Sequence, residues 1–259
     1  MTRSLHILLD GLIDYAGLFP PASLSVEEAV GNFERYRRGP HAWALGRFVV
    51  PSERLAEVPR NFSVSVLWSA GAAARVPPVD VIETRAASED DIRGMAKVLG
   101  SRTVYVEIAD VRLLDAIAAH GLRAKIRTGG VTPDAIPPTE RVVAFLRGCR
   151  ERNLAFKATA GLHHPIRCVK PLTYEANAPR ATMHGFLNVF IAAALPDFAP
   201  QIMAEENPRA FAFDDGGLWW HDLRVTSEEL ARLRHDFAIS FGSCSFEEPI
   251  EDLQELGWL

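Results

Sequence analysis

The sequence predicts an α/β fold: one (β/α)8 barrel of the TIM type, with an insertion between its seventh and eighth strands. Three observations predict it. Eight short runs rich in β-branched and aromatic residues recur along the chain, and most are separated by stretches with helical spacing or helical caps. Most of these runs are apolar on both faces, as parallel strands covered by helices must be. The length, 259 residues, is close to the ~250 usual for a single barrel. The runner-up, an open doubly wound sheet, calls for a glycine-rich nucleotide loop after its first strand. Neither G-x-G-x-x-G nor a P-loop occurs.

The elements follow in order. Residues 12–22, LIDYAGLFPPA, begin as the first strand and break at Pro20-Pro21. Ser25 and Glu28 have capping-box spacing and open a helix to about Tyr36. The second strand is 44–51 and the third 61–69, with little room for a helix between them. The fourth is 79–85. Residues 88–100 form a helix with acidic residues in its first turn and Gly100 past its end, as the helix dipole and C-cap geometry favour. The fifth strand, 103–109, leads into a helix at 111–121. RAKIRTGG (123–130) is the sixth strand, followed by a helix at 139–153. AFKATAG (155–161) is the seventh. FAISFGSCSF (237–246) is the eighth, and EEPIEDLQELG (247–257) closes the chain as a helix.

The insertion is 165–222, inside a single domain spanning 1–259. Its first part, 165–183, has three prolines and no periodicity, and reads as a lid over the C-terminal mouth. Residues 184–198 read as an apolar helix. FAFDDGGLWWHD (211–222) reads as a hairpin turning at Asp215-Gly216-Gly217.

Composition narrows the function classes. The chain is 48% hydrophobic and 24% charged, with a net charge of −5, so no basic excess points to nucleic acid. No run approaches the roughly 18 apolar residues that span a membrane. Asp10 and Asp14 interrupt the N-terminal apolar patches early, which is not a signal-peptide pattern. Cys149, Cys168 and Cys244 are too few and scattered for a disulfide framework. The expectation is a cytoplasmic protein acting on a small-molecule substrate, with a homodimer as the expected assembly if the barrel pairs.

Chemistry comes from strand parity. Alternate residues of a barrel strand point inward. Glu83 and Arg85 share a face of the fourth strand, Tyr105 and Glu107 of the fifth, Lys125 and Arg127 of the sixth, Lys157 and Thr159 of the seventh. The opposite faces are apolar and suit the helix-packed outside. Glu83, Glu107, Lys125 and Lys157 are therefore expected together inside, near the C-terminal ends of the strands, where barrel enzymes keep their sites. An interior salt-bridge layer is the structural explanation. Buried ion pairs are poor stabilisers beside apolar packing, so the layer points to function. A lysine desolvated beside a second ammonium has a lowered pKa and can attack a carbonyl as the free amine. A glutamate can shuttle the protons.

These residues resemble deoxyribose-phosphate aldolase and related class I aldolases. AKIRTGG (124–130) is similar to that family's K-T-S-T-G run on strand six, and FKATAGL (156–162) to its K-A-S-G-G run on strand seven. ISFGSCSF (239–246), with Ser243, is similar to its small-residue phosphate loop. The resemblance implies Lys125 as the Schiff-base lysine and Lys157 as the neighbour that lowers its pKa, with no cofactor. It covers about fifty residues. Arg127 stands where the family has a small residue, and His163 and His164 follow strand seven. Glu247 and Glu248 sit where a phosphate would want bare amides, which argues against a phosphorylated substrate.

The site expected from these readings has Lys125, Lys157, Glu83 and Glu107 as its reactive groups. Arg127, Arg85, Thr159, His163, His164, Asp14 and Ser243 are the substrate-binding candidates. Two alternatives stand beside the aldolase-like lyase or isomerase. One is a metal-dependent hydrolase or isomerase using a histidine from among His163, His164 and His184, with Cys168 or the glutamates. No ligand spacing matches a metal template, so no metal is expected. The other is a non-catalytic barrel that binds a small anion through Lys125, Lys157, Arg127 and Arg85.

Overall fold

Strands that are apolar on both faces have no side to offer to water, and here eight of them close on one another. The computed structural model describes residues 1–69 and 76–259. In chain order the strands are β1 (Ile13–Tyr15), β2 (Leu45–Pro51), β3 (Val64–Leu67), β4 (Val81–Arg85), β5 (Thr103–Glu107), β6 (Arg123–Arg127) and β7 (Phe156–Thr159), then β8 (Cys168–Pro171) and β9 (Arg180–Met183), β10 (Phe211–Phe213), β11 (Gly217–Trp220) and β12 (Leu223–Thr226), and finally β13 (Ala238–Ser243). The closed barrel runs β1-β13-β7-β6-β5-β4-β3-β2. Every neighbouring pair in it is parallel. The predicted (β/α)8 barrel is therefore the fold.

The helices are α1 (Arg3–Leu9), α2 (Val26–Tyr36), α3 (Glu89–Leu99), α4 (Leu114–Ala119), α5 (Thr139–Glu151), α6 (Phe186–Ala194), α7 (Ala199–Ala204), α8 (Ser227–Asp236) and α9 (Glu247–Glu255). Their starts are chemically specified. α2 begins with the Ser25–Glu28 capping box, and α3 with a second one, Ser88–Asp91. Gly100 ends α3 with a positive φ, the conformation a β-carbon disfavours. Phe33 packs against Phe48 and Phe62 at 5.3 and 4.8 Å between ring centroids, which fastens α2 to the sheet. Phe156 meets Phe145 of α5 at 5.8 Å, and Phe241 stacks on Phe186 of α6 at 5.1 Å. Among the described residues, no helix is long and apolar enough to cross a membrane.

Several sequence expectations are corrected. The stretch 111–121 begins with a 3-10 turn, Val111–Leu113, and only then becomes α4. Residues 165–183 are not irregular throughout, because β8 and β9 pair as an antiparallel hairpin. The predicted 211–222 hairpin exists, but β12 extends it to three strands. Three helices went unpredicted: α1, α7 and α8. α1 buries Leu5, Leu8 and Leu9, and α8 starts with a Thr226–Glu229 capping box. α8 carries Arg234 to the N-terminal end of the barrel. Its guanidinium donates to the carbonyls of Leu8 (2.8 Å) and Asp10 (2.9 Å), and to those of Ala238 and Ile239. Burial pulls its pKa down to about 10, against the attraction of Asp10, Asp14 and Tyr105. Even so, the group stays charged at neutral pH and ties α1 and the first turn of β13 together.

The glycines after the two lysine strands have a steric reason. The loops leaving β6 and β7 cross in contact. Thr128 donates its amide to Thr159 O (2.9 Å) and its hydroxyl to Ala160 O (2.6 Å). A β-carbon on Gly161 would lie 2.7 Å from Gly129 Cα, and Gly161 has φ +74°. Gly161→Ala combines left-handed strain with overpacking, so it should destabilise the protein by about 2–4 kcal/mol. Urea unfolding of that variant checks this. A midpoint unchanged within error would mean the loops can separate freely.

Candidate active site at the barrel mouth

Strand register sets the site. The Cα partners Arg85, Glu107, Lys125, Lys157 and Ser240 lie in one row across β4, β5, β6, β7 and β13. Arg127, Thr159, Gly242 and Asp14 form the next row toward the C-terminal ends. The faces that carry Glu83, Glu107, Lys125 and Lys157 are the interior ones, as parity required.

The four charges are buried: Glu83 and Lys157 are 1% exposed, Lys125 2% and Glu107 8%. Glu83 bridges the two lysines. Its Oε2 is 2.7 Å from Lys125 Nζ, and its Oε1 binds Lys157 Nζ and accepts from Ser65 Oγ at 2.7 Å. Lys157 also donates to Asp14 Oδ2 at 2.6 Å. Asp14 is held in turn by Ser240 Oγ (2.9 Å) and the Arg47 amide (2.6 Å). On the other side, Lys125 Nζ lies 3.1 Å from Glu107 Oε2, and Glu107 Oε1 meets Arg85 Nε at 3.0 Å and Arg127 Nε at 3.3 Å. Glu107 Oε2 is buried and, apart from that ion pair, has no hydrogen-bond partner.

The protonation states follow from these contacts. Burial pushes the Glu83 carboxyl upward, but Lys125 and Lys157 outweigh it and hold the group well below the ordinary carboxylate range. Burial also works against Glu107, and Lys125, Arg127 and Arg85 together still lower its pKa. Burial disfavours the Lys157 ammonium, yet Asp14 and Glu83 prevail and raise its pKa. Three carboxylates (Asp14, Glu83, Glu107) thus face two ammoniums and two guanidiniums. The formal sum is one positive charge in excess.

A cavity of about 1230 Å³ opens at the C-terminal ends of β3 to β6. Trp68, Arg85, Glu107, Lys125 and Arg127 line it; Lys157, Asp14 and Glu83 do not. Of the two lysines, only Lys125 reaches the cavity. A smaller cavity of about 440 Å³ lies between α5, α6 and α8 and contains none of the cluster.

The remaining sequence candidates are placed elsewhere. Thr159 faces inward beside Gly242, outside the ion-pair network. Ser243 pairs with Tyr15, whose ring packs on α2, so its side chain points toward the helices, and its Oγ accepts from the Ser245 amide at 3.4 Å. His163 and His164 are each given to a carboxylate on α9: His163 Nδ1 to Glu248 Oε2 at 2.8 Å, His164 Nδ1 to Asp252 Oδ2 at 2.6 Å. Their rings are 6.4 Å apart. They fasten the loop after β7 to the last helix. Glu247, the other carboxylate of that helix's first turn, is paired with Arg35 and accepts from Tyr36 Oη at 3.1 Å. Tyr174, in the loop between β8 and β9, reaches Cys244 Sγ at 3.6 Å and Glu248 Oε2 at 3.5 Å. The hairpin therefore rests just past the C-terminal end of β13. His184 Nε2 donates to Pro137 O (2.8 Å). Among the described residues, no three His, Cys, Asp or Glu side chains are arranged to hold a metal ion.

Ser65 and Ser240 escaped the sequence reading. Their signal is the same parity: a small polar residue inside an otherwise apolar strand. Asp14, a substrate-binding candidate, is ion-paired to Lys157. Comparison with models of known protein families gives no match, and a comparison with curated proteins finds no relative.

Proposed function

We propose that the chain is a lyase or isomerase for a small carbonyl compound, working through a Schiff base on Lys125. The observation that carries this reading is that Lys125 is the one lysine of the buried pair that lines the mouth cavity. Lys157, locked between Asp14 and Glu83, stays an ammonium. It acts as a fixed positive neighbour to Lys125 across Glu83. Arg85 and Arg127 share the charge of Glu107 on its other side. This is also the assignment implied by the resemblance to the class I aldolases.

The steps balance within the site. Lys125 gives a proton to Glu107 Oε2, its ion-pair partner at 3.1 Å, and its free amine attacks the carbonyl carbon, one amine proton passing to the carbonyl oxygen to give a carbinolamine. Glu107 returns the proton to the departing hydroxyl, and water leaves an iminium. A carbon–carbon or carbon–hydrogen bond next to the iminium then breaks, with its electron pair drawn toward the nitrogen. Glu107 is placed to accept the proton. A second reading, a barrel that binds a small anion and makes no bond, is favoured by the two carboxylates beside Lys125, which also stabilise its charged form.

Borohydride reduction in the presence of small aldehydes and ketones separates the two. The expected result is a covalent increment on the peptide that contains Lys125, absent from Lys125→Met. An increment on Lys157 instead would overturn the assignment to Lys125, and no increment with any carbonyl would replace the first reading by the second.

A further inference from the structure

The arginines at the rim say more about the ligand than the lysine does. Arg85 and Arg127 both use Nε on the same atom, Glu107 Oε1. Glu107 is itself held from below by Lys125. The two guanidiniums are thus built onto the buried network rather than left as free surface groups. Their remaining N–H groups have no protein partner among the described residues. Their side chains are 64% and 42% exposed, and both line the mouth cavity with Lys125.

We propose that Arg85 and Arg127 together bind a monoanionic carboxylate carried by the ligand of the mouth cavity. A guanidinium offers planar, paired donors that match the two coplanar oxygens of a carboxylate. Two of them already fixed at Nε lose little freedom on binding. The charge count selects the anion. The cluster of Asp14, Glu83, Glu107, Lys125, Lys157, Arg85 and Arg127 carries one positive charge in excess, which one carboxylate neutralises. A dianionic phosphate would leave the cluster with a net negative charge. The nearby acids of α3 do not discharge the arginines. Asp90 pairs with Arg93 at 3.1 Å, and Asp91 accepts the amides of Ala87 and Ser88, both at 3.0 Å. Combined with the proposed amine chemistry, the substrate class is a small oxo acid, its carboxylate on the arginines and its carbonyl at Lys125. The oxo-acid assignment rests on that chemistry; the carboxylate grip does not.

The test uses propionate, which has no carbonyl to react, against uncharged propionamide and against inorganic phosphate. Binding is followed by ligand-detected NMR titration of the full chain. Propionate should bind, propionamide should not, and phosphate should bind more weakly than propionate. Arg85→Gln and Arg127→Gln should each weaken propionate about tenfold or more, as loss of a charge-assisted pair does. Arg127→Lys, which keeps the charge and loses the fork, should fall between. Thermal unfolding of the same variants confirms that the fold is kept. No propionate binding, binding indifferent to the arginine variants, or tighter phosphate binding overturns the proposal. Borohydride trapping with acetone and pyruvate separates this from the amine chemistry. Arginine-dependent propionate binding without any adduct sinks the Schiff base alone. Equal adducts from both carbonyls, with no propionate binding, sink the carboxylate site alone.

Discussion

Lys157→Met should destabilise the protein by about 3–5 kcal/mol, because it strips the cation from two buried carboxylates at once. Lys157 is 1% exposed and joins Asp14 on β1 to Glu83 on β4, across the width of the barrel. Methionine fills the volume but leaves Asp14 with only Ser240 and an amide. Glu83 keeps Lys125. The cost is in desolvating a charge that has lost its counter-ion, not in lost packing. In urea the midpoint should drop by roughly 1–2 M, given a denaturant slope of about 2–3 kcal/mol/M. Adding Asp14→Asn to the same chain should recover part of the loss, since the two sites share one interaction. Lys125→Met should cost less, about 1–3 kcal/mol. Glu107 then still has Arg85 and Arg127, and Glu83 still has Lys157. A Lys157 variant as stable as the parent would show that the network contributes nothing to the fold. Equal losses at the two lysines would remove the distinction between a structural and a cavity-facing amine.

That distinction was only half legible in the sequence. Parity on β4, β5, β6 and β7 was enough to put Glu83, Glu107, Lys125 and Lys157 on one side, because β5, β6 and β7 alternate polar and apolar residues and β4 does so except at Thr84. Depth was not legible. Lys125 and Lys157 are register partners, yet one lines the cavity and the other is sealed, which depends on barrel tilt and on which side of the mouth is filled. β1 is three residues long, too short for parity to orient Asp14. Ser243 shows what parity adds to a motif. A glycine–serine–cysteine run looks like a binding loop, but in a strand whose interior residues are Ser240 and Gly242 its parity turns it outward. The histidines' partners on α9 lie 85 and 88 residues further along the chain, and local sequence carries no information about such a contact. α1, α7 and α8 were missed because their apolar faces are short. In α8 the Thr226–Glu229 cap was the available signal.

Acid should unfold this protein more steeply than its exposed carboxylates explain, and Glu107→Gln should flatten that limb. Glu83 and Glu107 have lowered pKa values in the fold. Each therefore contributes stability that is fully present above the unfolded carboxylate value, about 4.3 for Glu, and is lost as pH falls toward the folded value. In that window the unfolded chain takes up more protons at these two sites than the folded chain does. Two protons set an upper limit on the slope of about 2.7 kcal/mol per pH unit. Lys157 works at the other end. Its raised pKa gives stability that is present below the unfolded lysine value, about 10.4, and is lost only as pH rises through the folded one. The cluster therefore imposes an acid limb and an alkaline limb with a plateau between them. Glu107→Gln removes one of the two titrating acids, so its slope below about pH 4 should be shallower, by at most about 1.4 kcal/mol per pH unit. The variant should be the less stable protein at neutral pH, where Arg85, Arg127 and Lys125 lose their shared carboxylate, and the gap should close as pH falls. Urea midpoints at intervals between pH 3 and 7 test this directly. Parallel curves for the two proteins would mean that Glu107 has the same proton affinity folded and unfolded. In that case it is not held by its three cations, and it could not serve as the site's proton acceptor in the way its position suggests.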